Sequence, residues 1–466
     1  MFKTHLNYIK ISKSYNTLPM KKYTTLIIII SLLLLIGCKE IEENRPFLAN
    51  NREKQPIFIV NRNRHFKMAE FWLDKLENPN RIILDSSSIL KFNRRLIADG
   101  KIYDFNRSSL FYSGSYIRAS IEGMYKNISN GVKYFIDGNR VSRSFLRDIY
   151  NDLDLDSIEL KQRAKFALTV RYTNQKLIPI ELELLKRKGE IYFDRNQNSA
   201  LDIGTPLVVL HSTRDGRWHF VVAPTSSGWV RDEDIAFGSK DEILNYINSK
   251  NFVITTEAKS AILVQGRYYD YVRMGVKFPT LLSVDSNMVI VVPQKGEDGN
   301  LIFLNGLVAK SSVNRGYLSY TPRNILTQAF KFLNAPYGWG GSFGEQDCSK
   351  FIQEVFATVG LKLPRNSTTQ SLIGYPISLE GLTKEGKINT ILKIGEVGST
   401  IIHLKGHIML YIGEHKGEPF VIQTVWGESS RHFALGRTAV TSLRFNGYIN
   451  RVDLITILRD NFIKGE

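Results

Sequence analysis

The apolar positions of this chain recur at helical spacing near its start, alternate through its middle and do both towards its end. Met68, Phe71, Trp72 and Leu76 make one helical stripe and Phe145, Ile149 and Leu153 another, so residues 56–163 are expected to be mainly helical. His65, Glu70, Asp74 and Asp104 in that stretch are expected on solvated helix faces. From 164 to 245 the pattern turns to short strands. Ala200–Leu210 ends in a β-branched run, Asp215-Gly216 marks a tight turn, and Arg217–Val222 alternates. Trp218, Phe220 and Val222 share one face of that strand. His219 lies on the other, with no carboxylate or second His at ligand spacing, and is expected at the surface. Trp229, in the following Ser226–Val230 run, is expected to pack inside. Residues 246–320 repeat the style through Tyr268, Tyr269, Tyr271, Met288–Val292, Asp298-Gly299 and Leu301–Leu304. Each set of short strands suggests a small barrel.

Thr321-Pro322 then reads as an N-cap and a first-turn proline, opening a helix with Ile325, Ala329, Phe330 and Leu333 inside. That helix delivers the chain into PYGWGGSFGEQDCS. Gly338, Gly340, Gly341 and Gly344 permit turns that other residues resist. Asp347 is placed to cap the next helix. Phe351, Ile352, Val355, Phe356 and Val359 give it an apolar face, and Gly360 stops it. Cys348 falls in its first turn, where unpaired N–H groups and the helix dipole favour a thiolate, although an ionised Asp347 beside it works against that. A thiol nucleophile needs a base. Lys405–Gly413 alternates as a strand, with Ile408, Leu410 and Ile412 on one face and His407, Met409 and Tyr411 on the other. Phe420–Val425 follows, with Gln423 on the face of Val421 and Val425. Two neighbouring strands of this kind place His407 and Gln423 together against the Cys348 helix. His403 precedes the strand and His415 is expected in the hairpin loop, which leaves His407 as the expected base. No His or Cys pair has zinc spacing, so no metal is expected.

Composition changes the picture in two ways. First, 466 residues exceed a single core and imply about three or four domains. Second, the net charge is +17. Five lysines precede Cys38 without any acid, so +12 remains beyond them. The basic residues are scattered and form no nucleic-acid motif, so a polyanion such as anionic wall or a membrane face is the expected partner, not nucleic acid. Lys21-Lys22 precede the apolar run Leu26–Ile36, too short for an ordinary span, which ends in Leu35-Ile36-Gly37-Cys38. This is the shape of a lipoprotein signal peptide over 1–38, with Met20 the expected start and Cys38 the lipidated residue that anchors the chain to a membrane. Residues 39–55 read as a polar tether. Lys39, not Asp, follows Cys38, which suits an outer membrane where the cell has one. With Cys38 lipidated, Cys348 has no partner in an exported, oxidising compartment.

Taken in order, PYGWGG, DCS, LPR-N-S and GHIMLYIG resemble the NlpC/P60 family of cell-wall peptidases over residues 322 to about 455. The preceding segments resemble the helical domain and two bacterial SH3 domains found ahead of such peptidases. The resemblance implies a multidomain α+β chain: a helical domain at 56–163, SH3-like barrels at 164–245 and 246–320, and a papain-like catalytic domain at 321–460. It implies a monomeric thiol peptidase, without cofactor, that hydrolyses the γ-D-glutamyl–diamino acid bond of peptidoglycan stem peptides. By position, Cys348 is then the nucleophile and His407 the acid/base. Gln423 stands where the family commonly has His, and Tyr337 aids the oxyanion. Asp347, Ser349 and Ser367 match positions that contact the substrate's N-terminal amine and γ-D-Glu. Gln423 accepts a hydrogen bond from an imidazole but carries no charge to stabilise imidazolium. The first SH3 domain of such relatives also walls the site. Two other readings use the same residues: an amidase or transpeptidase on this fold, separated by which bond breaks, and a non-catalytic wall-binding lipoprotein, against which the intact Cys348 and His407 motifs argue.

Overall fold

Three large antiparallel sheets, two two-stranded ones and the short helices that plate them carry residues 64–429 and 433–459, which the computed structural model describes; Cys38, its leader and the 39–55 tether lie outside the described residues. Among the described residues no helix is long and apolar enough to cross a membrane.

The C-terminal sheet has six strands, in the spatial order Tyr375–Ser378, Val452–Ile457, Thr400–Leu404, His407–His415, Glu418–Val425 and Arg437–Ser442. Its two central strands are buried on both faces, which is why they read as near-continuous apolar runs. The helix Cys348–Ala357 lies against the His407 and Gln423 strands. Phe351, Ile352, Val355 and Phe356 are fully buried there, each contributing about 1.5–3 kcal/mol. The preceding helix, Pro322–Phe330, is capped by Thr321, whose hydroxyl accepts from the Asn324 N–H at 3.2 Å. It stops three residues short of the expected Leu333. The chain turns there, and Phe332 becomes the fully buried residue.

Upstream stand two seven-stranded antiparallel sheets, one from strands between Lys165 and Gly238, the other from strands between Phe252 and Arg315. Trp229 is fully buried against Phe220 in the first. His219 departs from the surface position expected for it. Its strand is covered on both faces: Trp218, Phe220 and Val222 enter one core and Val221 another. His219 is 5% exposed, with Nδ1 on Ser212 Oγ at 2.8 Å and Nε2 on Asp232 Oδ1 at 2.9 Å.

The helices of residues 64–163 divide among three cores, one of them formed by Ile128, Val141 and Leu146 with Ile178, Ile180 and Leu184. Phe66, Trp72, Phe92 and Leu96 join the core of the C-terminal sheet, where Trp72 and Phe66 meet the Phe420 ring at 5.2 and 5.3 Å. Ile117, Ile121, Leu153 and Ile158 join the core of the first barrel. Helices of five to sixteen residues with a single apolar stripe bury it best against a larger neighbour.

A buried ionic cluster ties the barrels to the Cys348 helix. Arg273 of the second sheet pairs with Asp202 of the first, and Lys350 lies 3.7 Å from both Asp202 and Glu354. The Arg273 guanidinium sits 4.1 Å over the Tyr172 ring, and Tyr172 Oη donates to the Gly341 carbonyl and accepts from the Gly344 N–H. Gly340 and Gly341 have φ of +63° and +89° and are approached so closely that a Cβ would lie 2.6 Å from Gln197 Cγ and 2.7 Å from Ala200 Cβ. The glycine loop therefore serves to seat the first barrel as well as to turn the chain.

Burial, reinforced by the neighbouring Asp202 carboxylate, holds Glu354 above its ordinary value of 4.5, with Lys350 opposing. The folded state thus keeps the Glu354 proton where the unfolded chain releases it, so this group subtracts stability as pH rises above 4.5. Glu354→Gln is expected to flatten that decline and to be the more stable protein at pH 8, read as denaturation midpoints across pH. Parallel curves, with the variant less stable throughout, would contradict it.

Candidate active site

The Cys348 helix begins where Asp347 Oδ1 accepts from the Lys350 N–H at 2.9 Å. This cap fixes Cys348 in the first turn, at the floor of a cleft of about 660 Å³. The His407 strand packs against the Cys348 helix, and the Ile408 N–H, one residue beyond His407, and the Ser349 N–H both favour the thiolate. His407 Nε2 lies 2.5 Å from Gln423 Oε1, and Gln423 Nε2 donates to Thr441 Oγ1 at 2.6 Å. Thr441 thereby presents the amide oxygen to the imidazole. That oxygen only accepts, so Nε2 carries the proton and Nδ1 keeps a lone pair.

Electrostatics here run opposite to the helix-start expectation. Burial, aided by the Asp347 charge, pushes the Cys348 thiol up to about 12. Burial pushes His407 down to about 4, with the Gln423 hydrogen bond opposing. The resting pair is therefore thiol and neutral imidazole, not a preformed thiolate and imidazolium. The pull of the neighbouring amides is too weak to offset desolvation beside a carboxylate.

Asp347 and Ser349 line the cleft on either side of Cys348. Arg365 clasps Asp347 through two nitrogens, at 3.1 Å to Oδ1 and 2.6 Å to Oδ2, and donates to Ser349 Oγ at 2.8 Å and Ser199 Oγ at 3.1 Å. Burial alone raises the Asp347 carboxyl, but Arg365 carries it below its ordinary value. Ser367 opens the helix Ser367–Ser371 behind an Asn366 cap and lines the cleft. Tyr337 also lines it, its phenol raised first by burial, then by Cys348 and Asp347. His403 is buried on Asp453 at 2.7 Å. His415 is not in the hairpin loop but is the last residue of the His407 strand, paired with Glu418. Eight residues of strand set it about 26 Å from His407.

Sequence reasoning passed over Arg365, although LPR-N-S contains it, and Thr441, which carries no local signal. It also left unnumbered the first-barrel wall of the cleft, which is Gln197, Asn198, Thr225 and Ser226. Among the described residues no group of three or more His, Cys, Asp or Glu is arranged to hold a metal ion.

The architecture defines an α+β protein in which a papain-like domain is walled by a small β-barrel. Residues 334–423 match the NlpC/P60 family and residues 185–231 match the SH3 domain of SH3b1 type, so the chain carries an NlpC/P60 domain preceded by an SH3 domain. It is similar to two curated proteins named gamma-D-glutamyl-L-lysine dipeptidyl-peptidase. That of Bacillus subtilis (strain 168) is 33% identical over 97 residues, 21% of this chain and 31% of that protein. That of Bacillus cereus (strain ATCC 10987 / NRS 248) is 26% identical over 191 residues, 40% of this chain and 54% of that protein. The chain spans about a third to about half the length of the curated relatives it matches. Among solved structures, an NlpC/P60 endopeptidase from Photobacterium damselae subsp. piscicida superposes with a TM-score of 0.69 over 84% of this chain and 96% of that one, at 18% identity, a likeness of fold.

Proposed function

We propose that this chain is a cysteine peptidase of the bacterial cell wall that cleaves the bond between γ-D-glutamate and the following diamino acid in peptidoglycan stem peptides. The observation that carries this reading is the Cys348 thiol at a helix start in the cleft, abutted by a strand whose His407 is oriented by Gln423. The names of the Bacillus relatives support the bond chosen.

His407 Nδ1 takes the thiol proton as Cys348 sulfur bonds to the γ-carbonyl carbon. Backbone N–H groups at the helix start, with Tyr337, steady the oxyanion. The C–N bond breaks as His407 returns the proton to the leaving amine of the diamino acid. Water then adds to the thioester, giving His407 a proton that passes to the departing thiolate, and the γ-carboxylate leaves. Gln423 holds the ring in the productive tautomer throughout. Ser367 contacts the γ-D-Glu portion from the rim. Asp347 and Ser349, held in place by Arg365, contact the substrate's N-terminal amine and γ-D-Glu portion. Lipidation at Cys38 places this activity in the cell envelope, and Cys38→Ala should abolish incorporation of labelled palmitate.

The test is to incubate the full chain with Ala-γ-D-Glu-Lys peptides and with muropeptides and to identify products by mass spectrometry. A new amine on the diamino acid is expected. Cleavage at the lactyl–Ala amide, or formation of a new cross-link, would assign an amidase or a transpeptidase instead.

The pH profile follows from the resting protonation states. With His407 down at about 4, its neutral, basic form persists through the mildly acidic range and is lost only as pH falls through that value. The acid limb of kcat/KM should therefore lie near 4. An acid limb at or above 6 would indicate a thiolate–imidazolium pair in the free enzyme.

A further inference from the structure

We infer that a basic pocket outside the catalytic cleft binds a phosphate monoester, either a soluble one or the headgroup of a lipid; this stands independently of the peptidase reading. The pocket, of about 60 Å³, lies where the helix Ser86–Ala98 meets the residues that follow the helix Ser367–Ser371. It shares only Lys101 with the lining of the cleft. Lys91, Arg95, Lys101 and Arg459 line it, against a single lining carboxylate, Asp99. Lys91 and Arg95 stand four positions apart, on one face of their helix. That helix ends with the Gly100 N–H on the Ile97 carbonyl at 3.0 Å and the Lys101 N–H on the Leu96 carbonyl at 2.9 Å, Gly100 having φ of +66°. The turn brings Lys101 to the same pocket. Arg459 arrives from the other side, just beyond the strand Val452–Ile457.

These charges are only partly answered. Arg95 lies 3.8 Å from Asp99, and Arg459 donates to Glu396 at 2.8 Å, a carboxylate that Arg81 also approaches at 3.3 Å. Among the described residues the Lys91 and Lys101 ammonium groups have no hydrogen-bond or ion-pair partner. Like charges four apart destabilise a helix, and cations around one small cavity repel until an anion sits among them. The buried Phe92, Leu96 and Ile373 form apolar walls, which strengthen the field inside. A carboxylate brings one charge and two oxygens. A phosphate monoester brings about −1.5 to −2 and three acceptor oxygens, a closer match to the surplus. A cavity of this volume holds about five water-sized atoms, as many as a phosphate group has. Leu372 in the lining and Tyr375, whose ring lies 5.7 Å from the Arg459 guanidinium, are exposed at the rim, where the glycerol of an ester or lipid meets them.

The test follows the full chain by thermal denaturation with and without glycerol phosphate, and by equilibrium binding to vesicles of phosphatidylcholine alone or mixed equally with phosphatidic acid. It compares wild type with Lys91→Gln/Arg95→Gln and with Arg94→Gln, an exposed charge of the same helix that does not line the pocket. Glycerol phosphate should raise the midpoint of wild type and of Arg94→Gln, and its affinity should fall by about tenfold or more in the double variant. Without ligand the double variant should be no less stable than wild type, because a repulsion has gone. If it is less stable, Lys91→Gln alone, which breaks no ion pair among the described residues, must still weaken the response several-fold. Binding to phosphatidic acid vesicles that weakens in the double variant identifies a lipid headgroup as the ligand. A response to glycerol phosphate without that difference identifies a soluble ester. The leader is common to all three proteins and cancels in the comparison. No response of wild type to either probe, or a double variant that responds as Arg94→Gln does, overturns the inference and leaves the peptidase reading untouched.

Discussion

Cys348→Ala is expected to lower cleavage of a γ-D-glutamyl–diamino acid peptide by about 10⁴-fold or more, while the folded state changes by about 1 kcal/mol or less. The loss is large because the thiol supplies the bond-forming atom and nothing else in the cleft replaces it. Among the described residues Cys348 is the free cysteine, and the hydroxyl of Ser349 beside it is tied to Asp347 and Arg365. The structural cost is small because only one sulfur atom is removed, and the helix remains held by the Asp347 cap and by its own buried face. Activity within tenfold of wild type, in a protein with an unchanged denaturation midpoint, would exclude covalent catalysis at this position.

Arg365→Ala is the substitution expected to destabilise most. It leaves the Asp347 carboxylate buried without its counter-charge, a change that costs about 3–5 kcal/mol. The damage reaches the site because Asp347 also caps the Cys348 helix and accepts from the Gly340 N–H in the glycine loop. Arg365→Lys restores the charge but not the fork that spans both Asp347 oxygens, Ser349 and Ser199, so it should recover part of the stability and little of the activity. Denaturation midpoints and turnover of the two variants side by side test this. An Arg365→Ala protein as stable as wild type would mean that the pair is dispensable.

The parts of the site that were legible in the sequence are those fixed by local periodicity. Helical spacing from Phe351 to Val359 determines which way Cys348 faces, and two-residue alternation places His407 and Gln423. Their contact, 16 positions apart along a hairpin, follows from pairing alone. Arg365 stands 18 positions from Asp347 in a loop without period, so its partner could not be read from spacing. The barrel wall was harder still: Gln197 reaches the glycine loop across 143 positions, by a close approach that only the assembled fold creates. The same limit explains the misplaced His219. Alternation gave its face correctly but could not tell that a second core covers that face.

The thiol shows a different failure, of magnitude and not of geometry. A helix N-terminus does favour negative charge, typically by about 0.3–1 kcal/mol. Full burial beside a carboxylate outweighs that, and the resting group is protonated. Gln423 fits this state. A neutral amide suffices to orient an imidazole that becomes charged only while it holds the thiol proton. Residues 64–163 illustrate the converse: their helical stripes were legible, but which cores they would join was not.

The most direct measurement is to mix the full chain with a γ-D-glutamyl–diamino acid peptide, quench with acid within one turnover, and determine the intact protein mass and its peptide map. The expected result is a thioester adduct, with the mass of the γ-D-glutamyl fragment, on the peptide containing Cys348. It should form with the release of one equivalent of diamino acid and be absent from Cys348→Ala. Cleavage at the wild-type rate with no adduct, persisting in Cys348→Ala, would contradict a nucleophilic role for this residue.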